Sequence, residues 1–125
     1  MSDNTRDTLG EVEVRVTDSV EDKVVVARMM GHVGYLESKQ LQPQLDRLLG
    51  RTEPAIILEC SELSFISSSG LRAILQFARQ AQEKNKKLGF AALRESVAYV
   101  FDISGFTKIL NIYDDQKQAE AKLLV

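Results

Sequence analysis

The sequence of 125 residues contains one cysteine, one histidine, two prolines and no tryptophan. A single cysteine excludes an intrachain disulfide, and Cys60 with His32 cannot supply the four ligands of a usual zinc site. No apolar run approaches the about 18 residues that a membrane-spanning helix needs. The polar segment 1–10 also lacks the apolar stretch of a signal peptide. These absences predict a cytoplasmic protein with no metal, no cofactor and no membrane insertion.

Neither positive nor negative charge is in large excess. The net charge is −2, with 44% hydrophobic and 27% charged residues, as in an ordinary globular domain. A broad surface for nucleic acid is therefore not expected. The lysines at positions 84, 86 and 87 are interpreted as a solvated helix end. We predict a flexible lead-in at residues 1–10 and a single domain at residues 11–125. Without a coiled-coil repeat, the chain is expected to be a monomer or weak dimer.

Period-two alternation predicts a half-buried strand at Glu11–Val16. A second, more apolar strand is predicted at Lys23–Met30, and the short polar turn at Asp18–Asp22 makes the two an antiparallel hairpin. Three later apolar segments predict further strands: Ala55–Glu59, Leu88–Leu93 and Ile109–Tyr113.

Apolar residues at spacings of three and four predict four helices among these strands. Pro43 restricts the first helix to a start near Gln40–Gln42, after an irregular turn capped by Ser38, and Gly50 ends it. The other three are predicted from the serine run to near Lys86, from Glu95 or Ser96 to Gly105, and from Asp114 or Asp115 onward. The fold class is α/β, with the order β-β-α-β-α-β-α-β-α. About five strands in a mixed, mostly parallel sheet accompany about four helices.

The run Ser67-Ser68-Ser69-Gly70 lies between the third strand and the second helix. Small residues at a helix start leave backbone N–H groups open, and the helix dipole favours negative charge there. Local chemistry alone allows three roles for this run: an N-cap, an anion site or a phosphorylatable hydroxyl.

No arrangement of residues indicates catalysis. The serine run lacks the G-x-S-x-G elbow, and the chain has neither a P-loop nor G-x-G-x-x-G after a strand. Cys60 has no base placed beside it. His32 has no serine, cysteine or carboxylate at a recognisable spacing, and we interpret it as an exposed histidine in a loop of tight turns at Gly31–Gly34. We therefore predict that the chain is not an enzyme.

The order of elements and one motif resemble the STAS domain, the module of sulphate transporters and anti-sigma factor antagonists. The resemblance covers about residues 11–124. Its most specific part is the strand Ala55–Glu59, the connector Leu63–Ile66 and then Ser67-Ser68-Ser69-Gly70-Leu71 at the start of a helix. The family pattern there is a strand, F-I-D-S-S-G-L and a helix. Residues 97–106, followed by Ile109, match a later helix, polar turn and short strand of the family.

The resemblance implies a bacterial anti-sigma factor antagonist, which is a protein-binding module of transcription regulation. In that family a kinase that is also the anti-sigma factor phosphorylates the serine after the motif aspartate. The unmodified antagonist binds this kinase and frees the sigma factor, and a PP2C-type phosphatase resets the system.

The serine that matches the family's phosphorylation site is Ser68, with Ser67 and Ser69 as alternative hydroxyls. The implied partner-binding surface combines the turn after the second strand, the serine run and one face of the following helix. Its residues are Gly31, Gly34, Tyr35, Ser67, Ser68, Ser69, Gly70, Arg72, Gln76 and Arg79.

Two acids of the family pattern are absent. Ser67 stands where the family has the aspartate before the serine, and Gly34 stands where an acid commonly follows the G-x-[LIV] turn. The presumed kinase-facing surface therefore has two fewer negative charges. These departures keep an alternative open, namely a non-phosphorylated STAS scaffold or a subunit of a larger signalling or lipid-transport assembly.

Overall fold

The computed structural model describes residues 11–125, and the predicted lead-in at 1–10 lies outside this range. The described strands are β1 (Val12–Val20), β2 (Val24–Val33), β3 (Ala55–Glu59), β4 (Leu63–Ile66), β5 (Lys87–Ala91) and β6 (Ile112–Tyr113). The α-helices are α1 (Tyr35–Leu49), α2 (Ser68–Glu83), α3 (Glu95–Ile103) and α4 (Gln116–Leu123). A 3₁₀ helix, Phe106–Lys108, precedes β6.

The strands form one mixed sheet in the order β1-β2-β3-β5-β6, and β4 pairs with the end of β2. β1 and β2 are antiparallel, whereas all other pairs are parallel. This confirms the predicted α/β class and the hairpin. β1 is longer than predicted, because the turn falls at Glu21 and Asp22, which have φ angles of 54° and 56°. Positive φ at both central residues is the geometry of a type I′ turn, which matches the twist of a hairpin.

The sheet is covered by helices on both faces. On one face, α1, α2 and α3 enclose the larger core, where Ile56 and Leu58 of β3 meet Phe77 of α2. On the other face, α4 covers a smaller cluster that includes Ile57. β3 is buried on both sides, which explains its continuous apolar sequence.

The predicted start of α1 near Gln40–Gln42 is wrong. The helix begins at Tyr35, Ser38 lies inside it, and Pro43 is an interior residue. The Glu37 carboxylate accepts the Gly34 N–H at 2.9 Å, which stabilises the early start. Pro43 is exposed, and its local cost is the hydrogen bond that it cannot donate and the clash of its ring with the preceding turn. Burial of the leucines on the opposite face outweighs that cost.

Three further boundaries differ from the prediction. The segment Gly31–Val33 is not a loop, because it forms the end of β2. The presumed connector Leu63–Ile66 is the strand β4, which pairs with that end of β2. A register shift between Gly31 and His32 interrupts this pairing, and a four-residue strand with a shift carries little period-two signal. Of the predicted strand Ile109–Tyr113, only the last two residues are β structure.

Within residues 11–125, no helix has both the length and the apolar character needed to cross a membrane.

A buried carboxylate ties the start of β3 to the hairpin. Glu53 is only 4% exposed. Its oxygens accept two hydrogen bonds from the Arg51 guanidinium, both at 3.0 Å, and one from the Ser19 hydroxyl at 2.5 Å. The Arg51 bonds first, and the Ser19 bond second, lower the pKa of Glu53 from 4.5 to about 2.

Acid should remove the stability that Glu53 provides. Because its pKa is lower in the folded state, this contribution is present above pH 4.5 and is lost as the pH falls towards 2. Glu53→Gln should lower the free energy of unfolding at pH 7 by about 1–3 kcal/mol and flatten this part of the pH profile. Urea denaturation from pH 3 to 7 measures both effects. The exposed Glu62→Gln control should keep the wild-type profile, and an unchanged profile in Glu53→Gln would contradict the assignment.

Candidate functional site

Strands β2 and β4 end side by side, and a helix begins directly after each. Val33 of β2 is the parallel partner of Ile66 of β4, and the Ser67 N–H donates to the Val33 carbonyl at 2.8 Å. The next residues, Gly34 and Ser67, are the N-caps of α1 and α2. The positive ends of two helix dipoles therefore lie at the same edge of the sheet.

Gly70 allows α2 to begin directly on the sheet. A Cβ atom at this buried position would lie 2.7 Å from Cγ1 of Ile66 and 2.8 Å from Cγ1 of Val33. Both distances are far below van der Waals contact, so a larger residue would push the helix start away. The packing at Gly70 thus holds the serine run against β2 and β4.

Ser67 caps α2. Its hydroxyl oxygen accepts the Gly70 N–H at 3.2 Å and lies 3.1 Å from the Ser69 hydroxyl oxygen. Serine and aspartate are about equally good N-caps, so Ser67 in place of the family's aspartate keeps the local geometry of the helix start. The first turn of α2 contains no acidic residue, so it lacks the negative charge that an aspartate would bring.

Ser68 is the first residue of α2, and its side chain is exposed. Among the described residues its hydroxyl has no hydrogen-bond partner. Ser67 and Ser69 are only partly exposed, and their hydroxyls contact each other. Of the three hydroxyls that the sequence offered, Ser68 is therefore the one that a modifying enzyme could reach without breaking an existing bond.

An exposed stripe continues from Ser68 along α2. Arg72, Gln76 and Arg79 follow at spacings of four, four and three residues, which places them on one side of the helix. All three are exposed, and within the described part of the chain their side chains form no hydrogen bond or ion pair. The structure thus places Ser68, Arg72, Gln76 and Arg79, four of the residues predicted to contact a partner, along one side of α2.

The predicted residues near β2 have different surroundings. Tyr35, at the start of α1, is 65% exposed, and the ammonium of Lys39 lies 5.1 Å from its ring centroid. Gly31 has φ of +119°, and a Cβ there would overlap the Glu11 carbonyl oxygen. Gly31 and Gly70 therefore shape the backbone of the site, whereas Tyr35 presents a side chain at its surface.

Sequence reasoning missed an aromatic pair beside the helix starts. His32 and Phe65 are paired in the register of β2 and β4, and their rings stack with centroids 4.5 Å apart. Phe65 is 42% exposed. Leu36 of α1, four residues after His32, is 50% exposed. Aromatic side chains such as Phe65 are enriched in protein interfaces. The assignment of Leu63–Ile66 as a strand would have revealed the pair.

The two side chains that were considered for catalysis, Cys60 and His32, have different surroundings. Cys60 is fully buried, and this burial raises the pKa of its thiol, which keeps it protonated. His32 is exposed, as predicted. It lies in the strand β2, however, and not in the predicted loop. Its described aromatic contact is with Phe65. In the described part of the chain, no cluster of three His, Cys, Asp or Glu residues could hold a metal ion.

The sequence is similar to those of several known proteins. A profile of the STAS domain matches residues 11–119. BtrV of Bordetella bronchiseptica, assigned as an anti-sigma factor antagonist, is 30% identical over 108 residues, which are 86% of this chain and 93% of BtrV. The anti-sigma F factor antagonist of Paenibacillus polymyxa is 29% identical over 103 residues, which cover 82% and 88% of the two chains.

A solved structure shows the same fold at lower identity. The Bacillus cell fate determinant SpoIIAA in its phosphorylated form superposes with a TM-score of 0.63 and 19% identity. The superposition covers 89% of this chain and 97% of SpoIIAA. It supports the arrangement of strands and helices described above.

The N-cap role of Ser67 can be tested by substitution. Ser67→Ala should lower the free energy of unfolding by about 1 kcal/mol, because the Gly70 N–H loses its acceptor. Ser67→Asp should equal the wild type or exceed it by about 0.3–1 kcal/mol, because it keeps the cap and adds charge at the helix start. Denaturant unfolding measures both. Ser96→Ala, in the first turn of α3 but not at its N-cap, is the control, and a Ser67→Ala protein as stable as this control would refute the role.

Proposed function

Because the chain belongs to the STAS domain family, we propose that it acts as an anti-sigma factor antagonist switched at Ser68. In its unmodified form it binds a kinase-type anti-sigma factor, and phosphorylation of Ser68 ends that binding. The observation that carries this proposal is the exposed Ser68 hydroxyl at the first position of α2, which has no hydrogen-bond partner within residues 11–125. Two relatives named as anti-sigma factor antagonists support the class of partner.

The structure can accept a phosphate at Ser68 without unfolding. A phosphate adds about −1.5 to −2 charges, and the positive end of the α2 dipole favours negative charge at this position. Arg72 lies four residues later on the same side of the helix, which is the spacing of a helical ion pair. The modification would therefore be stabilised by the helix that carries it.

The same phosphate would change what the surface can bind. Arg72 and Arg79 are exposed cations without a partner in the described residues, and such cations select acidic groups on a bound protein. A phosphate at Ser68 repels those acidic groups and competes for Arg72. It would also have to lose its hydration in a closed interface, which is costly. Binding can thus be lost while the fold is kept.

The stacked pair of His32 and Phe65 gives this surface an apolar part next to the charged stripe. Aromatic side chains supply much of the binding energy in protein interfaces, and charged residues mainly set specificity and rate. We assign Phe65 and Tyr35 as the apolar contacts for the partner.

The relatives support the proposed cellular setting. Both named relatives are bacterial, and we place the exchange in the cytoplasm of a bacterial cell. A PP2C-type phosphatase would restore the unmodified state. The protein would act as a monomer or weak dimer and as a binding module with no catalytic step of its own.

The neutral first turn of α2 favours a second candidate function. Without acids at positions 67 and 34, a kinase that recognises those charges would bind Ser68 poorly. The chain would then be a constitutive scaffold or a subunit of a larger signalling or lipid-transport assembly. This candidate differs from the first in one measurable respect, namely that Ser68 is never phosphorylated in the cell.

A binding assay tests the proposed switch. Kinase-type anti-sigma factors encoded in the same genome are titrated with the wild type, Ser68→Ala and Ser68→Asp in a calorimeter. Ser68→Ala should bind within about threefold of the wild type, because a small neutral side chain keeps the surface. Ser68→Asp should bind at least about tenfold more weakly, since a loss of about 1.4 kcal/mol corresponds to a factor of ten.

The control for this assay is Ser96→Asp, which makes the same change at an exposed serine in the first turn of another helix, α3. It should bind as the wild type does. Equal binding by Ser68→Asp and Ser96→Asp, or no binding to any of these kinases, would contradict the proposal. Intact mass measurement of the protein from its native host, with and without the phosphatase gene, identifies the scaffold alternative if no phosphate is found in either strain.

A further inference from the structure

A groove lies at the opposite end of α2 from the serine run. It has a volume of about 840 Å³ and is lined by the end of α2, the start of β5, the segment before β6 and α4. Sites for small molecules are usually concave and about 300–1,000 Å³ in volume. Ser68 and the last turn of α2 are separated by about 20 Å of helix. The groove is therefore remote from Ser68 itself, and Arg79 is the residue that it shares with the exposed stripe.

The groove combines an apolar base with cations. Its apolar part includes Leu75, Leu88, Leu110 and Leu123. Ile109, which is 63% exposed, lies among the lining residues, so the apolar surface extends to solvent.

Every charged residue that lines the groove is basic, namely Arg79, Lys86, Lys87 and Lys122. In a chain whose net charge is −2, this is a local excess of positive charge. Lining of this composition is complementary to an anion that carries an apolar body.

A solvated helix end explains only part of this cluster. The ammonium of Lys86 donates to the carbonyls of Arg51 and Glu53 at 2.6 and 2.7 Å, so it has a structural role. Arg79 and Lys122 come from two different helices, α2 and α4. Across residues 11–125 neither of these two side chains has an ion-pair or hydrogen-bond partner, whereas the Lys87 ammonium donates to the Val125 oxygen at 3.0 Å. Arg79 and Lys122 are therefore the lining cations available to a ligand.

We propose that this groove binds a small amphipathic organic anion, in which one carboxylate or phosphate group is joined to an apolar body. The anionic group lies between Arg79 and Lys122, and the apolar body covers Leu75, Leu88 and Leu110. This binding does not depend on the phosphorylation of Ser68. The groove has enough volume to hold the body of such a molecule, which favours a free small molecule over the headgroup of a membrane lipid.

Straight-chain fatty acids are suitable probes. The ¹⁵N-labelled full chain is titrated with hexanoate, octanoate and decanoate below their micelle concentrations, with inorganic phosphate and octanol as separate arms. Saturable shifts should appear at the amides of Leu75, Leu88 and Leu110. Affinity should rise about two- to fourfold per added methylene group, because each one buries apolar surface. Inorganic phosphate and octanol should each bind at least about tenfold more weakly than octanoate.

A charge-matched pair of variants locates the site. Arg79→Gln with Lys122→Gln removes the two available cations and should weaken octanoate binding at least tenfold. Arg47→Gln with Lys117→Gln removes the same charges at exposed positions outside the groove and should leave the affinity unchanged. The absence of saturable shifts, equal binding of inorganic phosphate, equal losses in the two double variants, or sedimentation with anionic vesicles without octanoate binding would each overturn the proposal. None of these results depends on the Ser68 switch.

Discussion

The contact of Gly70 with Val33 and Ile66 is the constraint on which the functional surface depends. It lets α2 begin directly where β2 and β4 end, and the Ser67 N–H bond to the Val33 carbonyl fixes the register of this junction. The position of Ser68 follows from these contacts, because it is the next residue and the first of the helix. The serine thus lies at a closely packed junction of two strands and a helix. A surface built in this way is suited to a change of charge and not to a change of shape.

The three serines at the junction have different contacts. Ser67 satisfies the backbone of the helix start and contacts Ser69, which leaves Ser68 exposed. The substitution of a family aspartate by Ser67 therefore removes a charge without removing a cap. Geometry and electrostatics are separable at this position, and the departure from the family pattern concerns only the electrostatics. For this reason the departure from the family pattern is compatible with an unchanged fold.

The parts of the fold with local signals were predictable from the sequence. β3 is apolar throughout because it is buried on both faces, and α2 has both a clear apolar period and a serine cap. The structure of β4 was not predictable in this way, because it depends on pairing with the end of β2, about 30 residues earlier in the chain. Burial of Leu41 and Leu45 outweighed the local preference of Pro43, so α1 was predicted too short. The stack of His32 on Phe65 was missed for the same reason as β4, since it exists only when the two strands are paired.

The most direct test of the account is hydrogen exchange of the protein that carries phosphoserine at position 68, compared with the unmodified protein. Our account predicts that the buried turns of α2 and the paired residues of β2 and β4 keep their protection within about threefold, since the helix dipole favours the added charge. The first turn of α2 should be equally or better protected. A loss of protection throughout α2, or an opening of the pairing between β2 and β4, would contradict it, because the modification would then act by unfolding the surface and not by changing its charge.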